Sequence, residues 1–287
     1  MKTRIAKPLL FAALPLGLYL ILWGIPIVVS IVMSFFNVPG FGLDWKYVGL
    51  DNFRYIFRDP FFRTGLLNNI KWMVLSVLFP TVIGLTLALM VNAKLRLQNL
   101  FRGVFYYPCI LSMVSVGLIW RWIFHPEGIF VALQKAMGIV KPLVVLGNMD
   151  TALIGIFIAG TWAGVGTGML LFLAGLQGVP EEIYEAATVD GANYMQKLWS
   201  ITLPMLRQTF IIVITMALIH SIGVFDIVMA TTRGGPGTAT YMLAIYMYLN
   251  SFRSMFLGIG AAVSWIMTIL AAIPVIPYVM IMQKADS

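Results

Sequence analysis

From about Pro8 to Phe35 the chain carries no charged residue. A run of that length crosses a hydrocarbon core of about 30 Å as a helix, the open-ended element that satisfies its own backbone in lipid. It is about twice the 7–15 residues of a signal-peptide core, so the reading is a retained first span. Further apolar runs follow at about 66–92, 104–124, 152–176, 210–230 and 255–282. The expected fold class is therefore an all-α integral membrane protein of six transmembrane helices, one transmembrane domain over residues 1–287. Composition agrees: only 10% of residues are charged, against roughly 25% in a soluble domain.

The polar segments between the runs set the topology. Lys2, Arg4 and Lys7 precede the first run and no cation follows it until Lys46, which puts the N-terminus in the cytoplasm. Six spans return the C-terminus to the same side. The acid-free loop with Lys94, Arg96 and Arg102 agrees with this orientation. Between the first two spans, Asp51 opens a short helix that Pro60 stops, and its aromatic character suits the membrane interface. Prolines 15, 26 and 80 lie inside spans, where membranes tolerate kinks. Gly160, Gly164 and Gly168, spaced by four, form a small-residue stripe that admits a neighbouring backbone.

Several function classes are excluded. A single cysteine, Cys109, cannot form an intramolecular disulfide, and the isolated His125 and His220 are a poor start for a metal site. The net charge of +8 reads as a topology and lipid-headgroup signal rather than a nucleic-acid one. No carboxylate pair or nucleophile–base arrangement sits in the spans, so passage rather than chemistry is indicated. Asp226 is the one acid well inside a span, which disfavours an ion-coupled secondary transporter. No G-x-x-x-x-G-K-[ST] phosphate loop is present, so the chain binds no ATP of its own and no cofactor is expected in it.

One polar stretch, Glu181–Pro204, interrupts the apolar pattern. Pro180 with Glu181 and Glu182 starts a helix, Gly191 is placed to end it, and Met195, Leu198 and Trp199 recur at helical spacing in a second. Pro204 is expected to push Leu203 out of the helical region and restart the chain as the fifth span. Composition alone leaves two readings open, an interfacial linker or a cytoplasmic helix–turn–helix knob.

The spacing of Glu185, Ala186, Ala187, Gly191, Ile201, Leu203 and Pro204 resembles the EAA loop of permease subunits of bacterial ATP-binding-cassette importers. Segments Gly49–Phe53, Phe101–Ser112, Trp120–Gly128 and Thr232–Thr240 resemble the carbohydrate-uptake branch, in particular the first permease of maltose and glycerol-3-phosphate systems. The resemblance covers nearly the whole chain. It implies a coupling loop at 181–204 that docks on a separate ATPase, present in two copies with their ATP and Mg. It also implies a second permease completing a heterodimer, an extracytoplasmic solute-binding protein, and residence in the bacterial inner membrane. Permeases of other importer branches, for glycerol 3-phosphate, amino acids, peptides or metals, share the loop and form the alternative.

In maltose-type importers the sugar contacts the helices flanking the loop. Counting from Glu185, the corresponding face is Gly160, Gly164, Thr167, Ala217, His220, Ser221 and Val224, with Asp226 near the outer boundary. Packing remains open as a role for the glycines, and a hydrogen bond to a neighbouring helix for His220. Trp162 is read as packing rather than a stacking platform, and Asp226 as a possible partner of Arg233 or Arg253. The absence of a mid-span Lys or Arg points to a neutral sugar.

Overall fold

The computed structural model describes residues 13–40, 42, 44–93 and 98–284. The topology-setting cations Lys2, Arg4, Lys7, Lys94 and Arg96, and the start of the first apolar run, lie outside the described residues. The chain divides into two compact units. One comprises the chain up to Phe62 together with Tyr246–Thr268; the other comprises Arg63–Ile245 and the chain from Ile269 onward.

In the first unit, α1 runs over Ala13–Met33. Just before Pro26 the helix widens into a π turn, Leu20–Gly24, closed by Ile25 N–H on the Leu20 carbonyl. The wider ring accommodates the N–H that proline lacks, so the helix continues. A short hairpin pairs β1 (Phe36–Asn37) with β2 (Lys46–Tyr47). In α2 (Asp51–Arg58) the buried Asn52 donates to the carbonyls of Ser34 and Phe36, both at 2.9 Å, and ties α2 to the end of α1. Pro60 stops α2, as the sequence suggested: Asp59, the residue before it, is held extended, and its carboxylate accepts from Phe61 N–H at 2.9 Å. Pro60 also takes the first position of α3 (Pro60–Asn92), where a missing N–H costs nothing, so this helix begins ahead of the expected Leu66.

The second unit contains the departures from straight spans. The expected span 104–124 is broken. Helix α4 (Gln98–Tyr106) passes into a 3₁₀ turn at Tyr107–Ile110, Leu111 is extended, and α5 (Met113–Ile123) restarts. The two arms differ in direction by 101°. Pro108 supplies the break, and Ser112 caps α5 by accepting from Ser115 N–H at 3.2 Å. After α6 (Ile129–Ala136) comes α7 (Ala152–Gln177), the central helix, half of whose most apolar stretch is buried.

Beyond α7 lie α8 (Glu181–Val189) and α9 (Tyr194–Met205), then α10 (Arg207–Ile222) and α11 (Asp226–Thr231). The expected span 210–230 is thus also broken, at Gly223–Phe225. Leu203 is helical (φ −64°, ψ −43°), contrary to the expected effect of Pro204. A π turn over Leu198–Thr202 precedes it, and Leu203 N–H reaches back to the Leu198 carbonyl, which makes room for the proline. The chain turns later, at Leu206, by 66°. Leu206 is fully buried there, in a core with Ala88 and Val91 of α3, Phe172 and Leu176 of α7, and Val213 of α10.

The last helices are α12 (Leu243–Tyr248) and α13 (Leu257–Lys284). Among the described residues α1, α3, α7 and α13 are long and apolar enough to cross a membrane, and counting each bent pair as one span raises the number to six.

Candidate functional site

A cavity of about 420 Å³ opens in the second unit between α3, α7, α10 and α11. It collects all of the residues assigned to a substrate face: Gly160, Gly164 and Thr167 from α7, Ala217, His220 and Ser221 from α10, and Val224 and Asp226 beyond the break. The break itself makes the site. Where α10 stops, the buried Asn69 of α3 donates to the carbonyls of Ser221 and Ile222, each at 3.2 Å, and accepts from Leu243 N–H at 2.8 Å. Its neighbour Asn68 donates to the carbonyls of Thr238, Ala239 and Tyr241. Asn69 thus satisfies carbonyls that an unbroken helix would have paired internally, while Asn68 pairs backbone of the loop between α11 and Leu243.

The candidates differ in what they offer. The Ser221 hydroxyl is already committed to the Leu218 carbonyl at 2.7 Å, so it serves the helix rather than the cavity. His220 and Asp226 are exposed to the cavity side, and within the second unit, among the described residues, Asp226 forms no ion pair, so the expected pairing with Arg233 is not made. The glycine stripe divides. A Cβ on Gly164 would meet nothing within 4 Å, and one on Gly160 would meet only the side chains of Trp72 and Ile227. Gly168 is the member a backbone approaches: a Cβ on Gly84 of α3 would lie 3.2 Å from its carbonyl carbon.

Sequence reasoning passed over the α3 wall. Trp72, Ser76, Pro80 and Thr81 line the cavity, and Trp72 packs edge-on against Phe157 with ring centroids 5.5 Å apart. Trp162 turns instead to Trp120 at 6.0 Å, as packing. The signal available was polar and aromatic residues within an apolar run, including the Asn68–Asn69 pair.

The loop residues fall on a second feature. Glu185 and Ala186 are exposed on α8, with Ala187 half-buried. Gly191 turns the chain at φ +77°, a conformation that favours glycine. Asn193 and Gln196 then form a reciprocal capping box that starts α9. The two helices are tied by Tyr184 hydroxyl to Thr202 hydroxyl at 3.0 Å and by Lys197 Nζ to Thr188 hydroxyl at 2.6 Å. Ile201 and Leu203 are half-buried in α9 and Pro204 is exposed. At the tip Val189 is 88% and Trp199 67% exposed, beside exposed Tyr194 and Met195.

Comparison with known proteins places this architecture. Residues 80–285 match the family described as binding-protein-dependent transport system inner membrane component. The multiple sugar-binding transport system permease protein MsmF of Streptococcus mutans is 31% identical, with 96% of this chain and 95% of the relative covered. The lactose transport system permease protein LacF of Rhizobium radiobacter is 32% identical over 92% and 90%. A solved bacterial ABC transporter involved in the import of the acidic polysaccharide alginate shares the fold at TM-score 0.87 and 22% identity, covering 99% of this chain and 100% of that one. Such permeases are not enzymes, and the ATPase is a separate subunit. The chain belongs to the inner membrane components of binding-protein-dependent transport systems, as the permease subunit of an ABC importer.

Proposed function

We propose that the cavity is this chain's half of the translocation path for a sugar, and that Glu181–Pro204 is a cytoplasmic knob that couples it to ATP hydrolysis on a partner. The observation that carries the reading is the convergence of α7, the broken α10–α11 pair and α3 on one cavity lined by aromatic rings, hydroxyls and one carboxylate. Aromatic faces and hydroxyls suit a sugar's apolar and polar surfaces. The names of the relatives, multiple sugars and lactose among them, support the same substrate class.

The link from knob to cavity is short. Helix α9 ends at the buried Leu206, which packs with Phe172, and Phe172 meets Phe210 at a centroid distance of 4.9 Å. Val213, one turn on, belongs to both the core and the cavity wall. A tilt of the knob therefore reaches the wall through close-packed side chains rather than through a loop. The complete importer would hold a second permease, two ATPase copies binding ATP with Mg, and an extracytoplasmic binding protein, with both termini of this chain in the cytoplasm.

Replacing Gly191 by proline tests the coupling, because φ near −65° is incompatible with the observed +77°. The assembled complex carrying this variant should hydrolyse ATP while sugar uptake into proteoliposomes falls at least tenfold. Uptake at the wild-type rate would sink the proposal.

A further inference from the structure

The first turn of α10 carries two bonds that the link from knob to cavity does not use. The Arg207 guanidinium donates to the Met282 carbonyl, and the Phe210 carbonyl accepts from the Tyr278 hydroxyl at 3.2 Å. Residue 207 meets 282 while 210 meets 278, so α10 and the last turns of α13 run antiparallel here. Two ties, one turn apart on each helix, fix rotation as well as spacing. A cation in the first turn of α10 opposes that helix's own dipole. The C-terminal end of α13 compensates it, because its last carbonyls lack intrahelical donors and attract positive charge.

The same turn of α10 is locked on its other sides. Leu206 is buried where α9 ends, and the Phe210 ring meets Phe172 at 4.9 Å. A Cβ on Gly175 of α7 would fall 2.3 Å from Thr209 Oγ1. A tilt of α9 therefore reaches this turn through close-packed atoms. Helix α13 is weaker just ahead of the ties. Pro274 and Pro277 leave the carbonyls of Leu270 and Ile273 without their helical donors, immediately before Tyr278. Such a stretch bends more readily than a fully paired helix.

We propose that Arg207 and Tyr278 are positioning residues that join the last turns of α13 to the first turn of α10 as one moving body. A tilt of the knob then carries the end of α13 along with the cavity wall, bending α13 at its two prolines. This rests on the reading of Glu181–Pro204 as the coupling knob and adds a second output to it.

The test uses the complex of this chain with its partner subunits in proteoliposomes. Cys109→Ala removes the native thiol, and Gly164→Cys serves as reporter, since a Cβ there enters open cavity. A membrane-impermeant maleimide labels the reporter thiol without nucleotide and in the state trapped by ATP with vanadate. With both ties intact the two labelling rates should differ about tenfold. Tyr278→Phe keeps the ring and removes one hydroxyl. It should cut the difference to about twofold, the fivefold loss expected for one neutral hydrogen bond. Arg207→Met should abolish the difference, and Arg207→Lys, which can still donate to the Met282 carbonyl, should restore it. ATP hydrolysis should continue in all of them. Thr268→Val removes a hydroxyl bonded only within α13, to the Ser264 carbonyl at 2.9 Å, and should switch like the parent. Full switching in both Tyr278→Phe and Arg207→Met overturns the tie and leaves the knob standing. Loss of ATP hydrolysis in step with switching also overturns it, because the bonds would then serve assembly alone. Gly191→Pro separates the two readings, since it should abolish switching with both ties intact. If that variant switches fully, or the parent ignores nucleotide, the knob reading falls and the tie with it.

Discussion

Gly164 and Gly166 are two residues apart on α7 and carry opposite burdens. A Cβ on Gly166 would come 2.4 Å from the Phe105 carbonyl oxygen and 2.8 Å from Cys109 Sγ, so this glycine lets the α4 segment lie against α7. A Cβ on Gly164 would enter open cavity. Gly166→Ala should therefore destabilise by about 1–3 kcal/mol through overpacking. Gly164→Ala should hold or gain stability, since alanine is the better helix residue by about 1 kcal/mol. Thermal unfolding of the two variants in detergent separates them, and a lower Tm for Gly164→Ala would remove Gly164 from the cavity wall. Spacing by four in the sequence pointed to Gly160, Gly164 and Gly168 but could not say which face was empty. An empty face is defined by what the other helices withhold, and no residue on α7 encodes that.

At the scale of elements, the apolar runs were legible and their breaks were not. Hydropathy averages over a window, and a bent pair of helices has the same average as one straight span. The local signals were present, Pro108 with Ser112 in one case and Gly223 in the other, but proline and glycine are also tolerated in unbroken membrane helices, as Pro80 is in α3. What turns Gly223 into a break is Asn69, on a different helix, bonded to Ser221, Ile222 and Leu243. Asn69→Leu leaves two carbonyls and one N–H unpaired in a buried setting. The expected loss is about 2–5 kcal/mol, read as a fall in Tm, accompanied by loss of sugar uptake as the α10–α11 geometry relaxes. A variant that melts and transports like wild type would show that the break is held by other contacts.

At the scale of the whole molecule, the α8–α9 pair exposes an apolar and aromatic tip. Helices α8 and α9 are cross-tied by side-chain hydrogen bonds and capped at both sides of Gly191, so they hold their shape without a partner. Rigid elements with an exposed aromatic and aliphatic tip are suited to insertion into a pocket, since little entropy is lost on docking and the tip is desolvated. Val189, Tyr194, Met195 and Trp199 are such a tip, and none of their exposure is required to hold α8 against α9. Trp199→Glu should therefore leave the unfolding free energy of the isolated permease within about 0.5 kcal/mol of wild type, as expected for a surface site. The same change should cost at least 2 kcal/mol, about thirtyfold, in affinity for the ATPase subunit, read by co-purification or by titration in detergent. Full retention of the ATPase by Trp199→Glu would detach this tip from the docking surface. Glu185 would then have to carry the contact from the opposite side of Gly191, and Glu185→Ala in the same titration would measure its share.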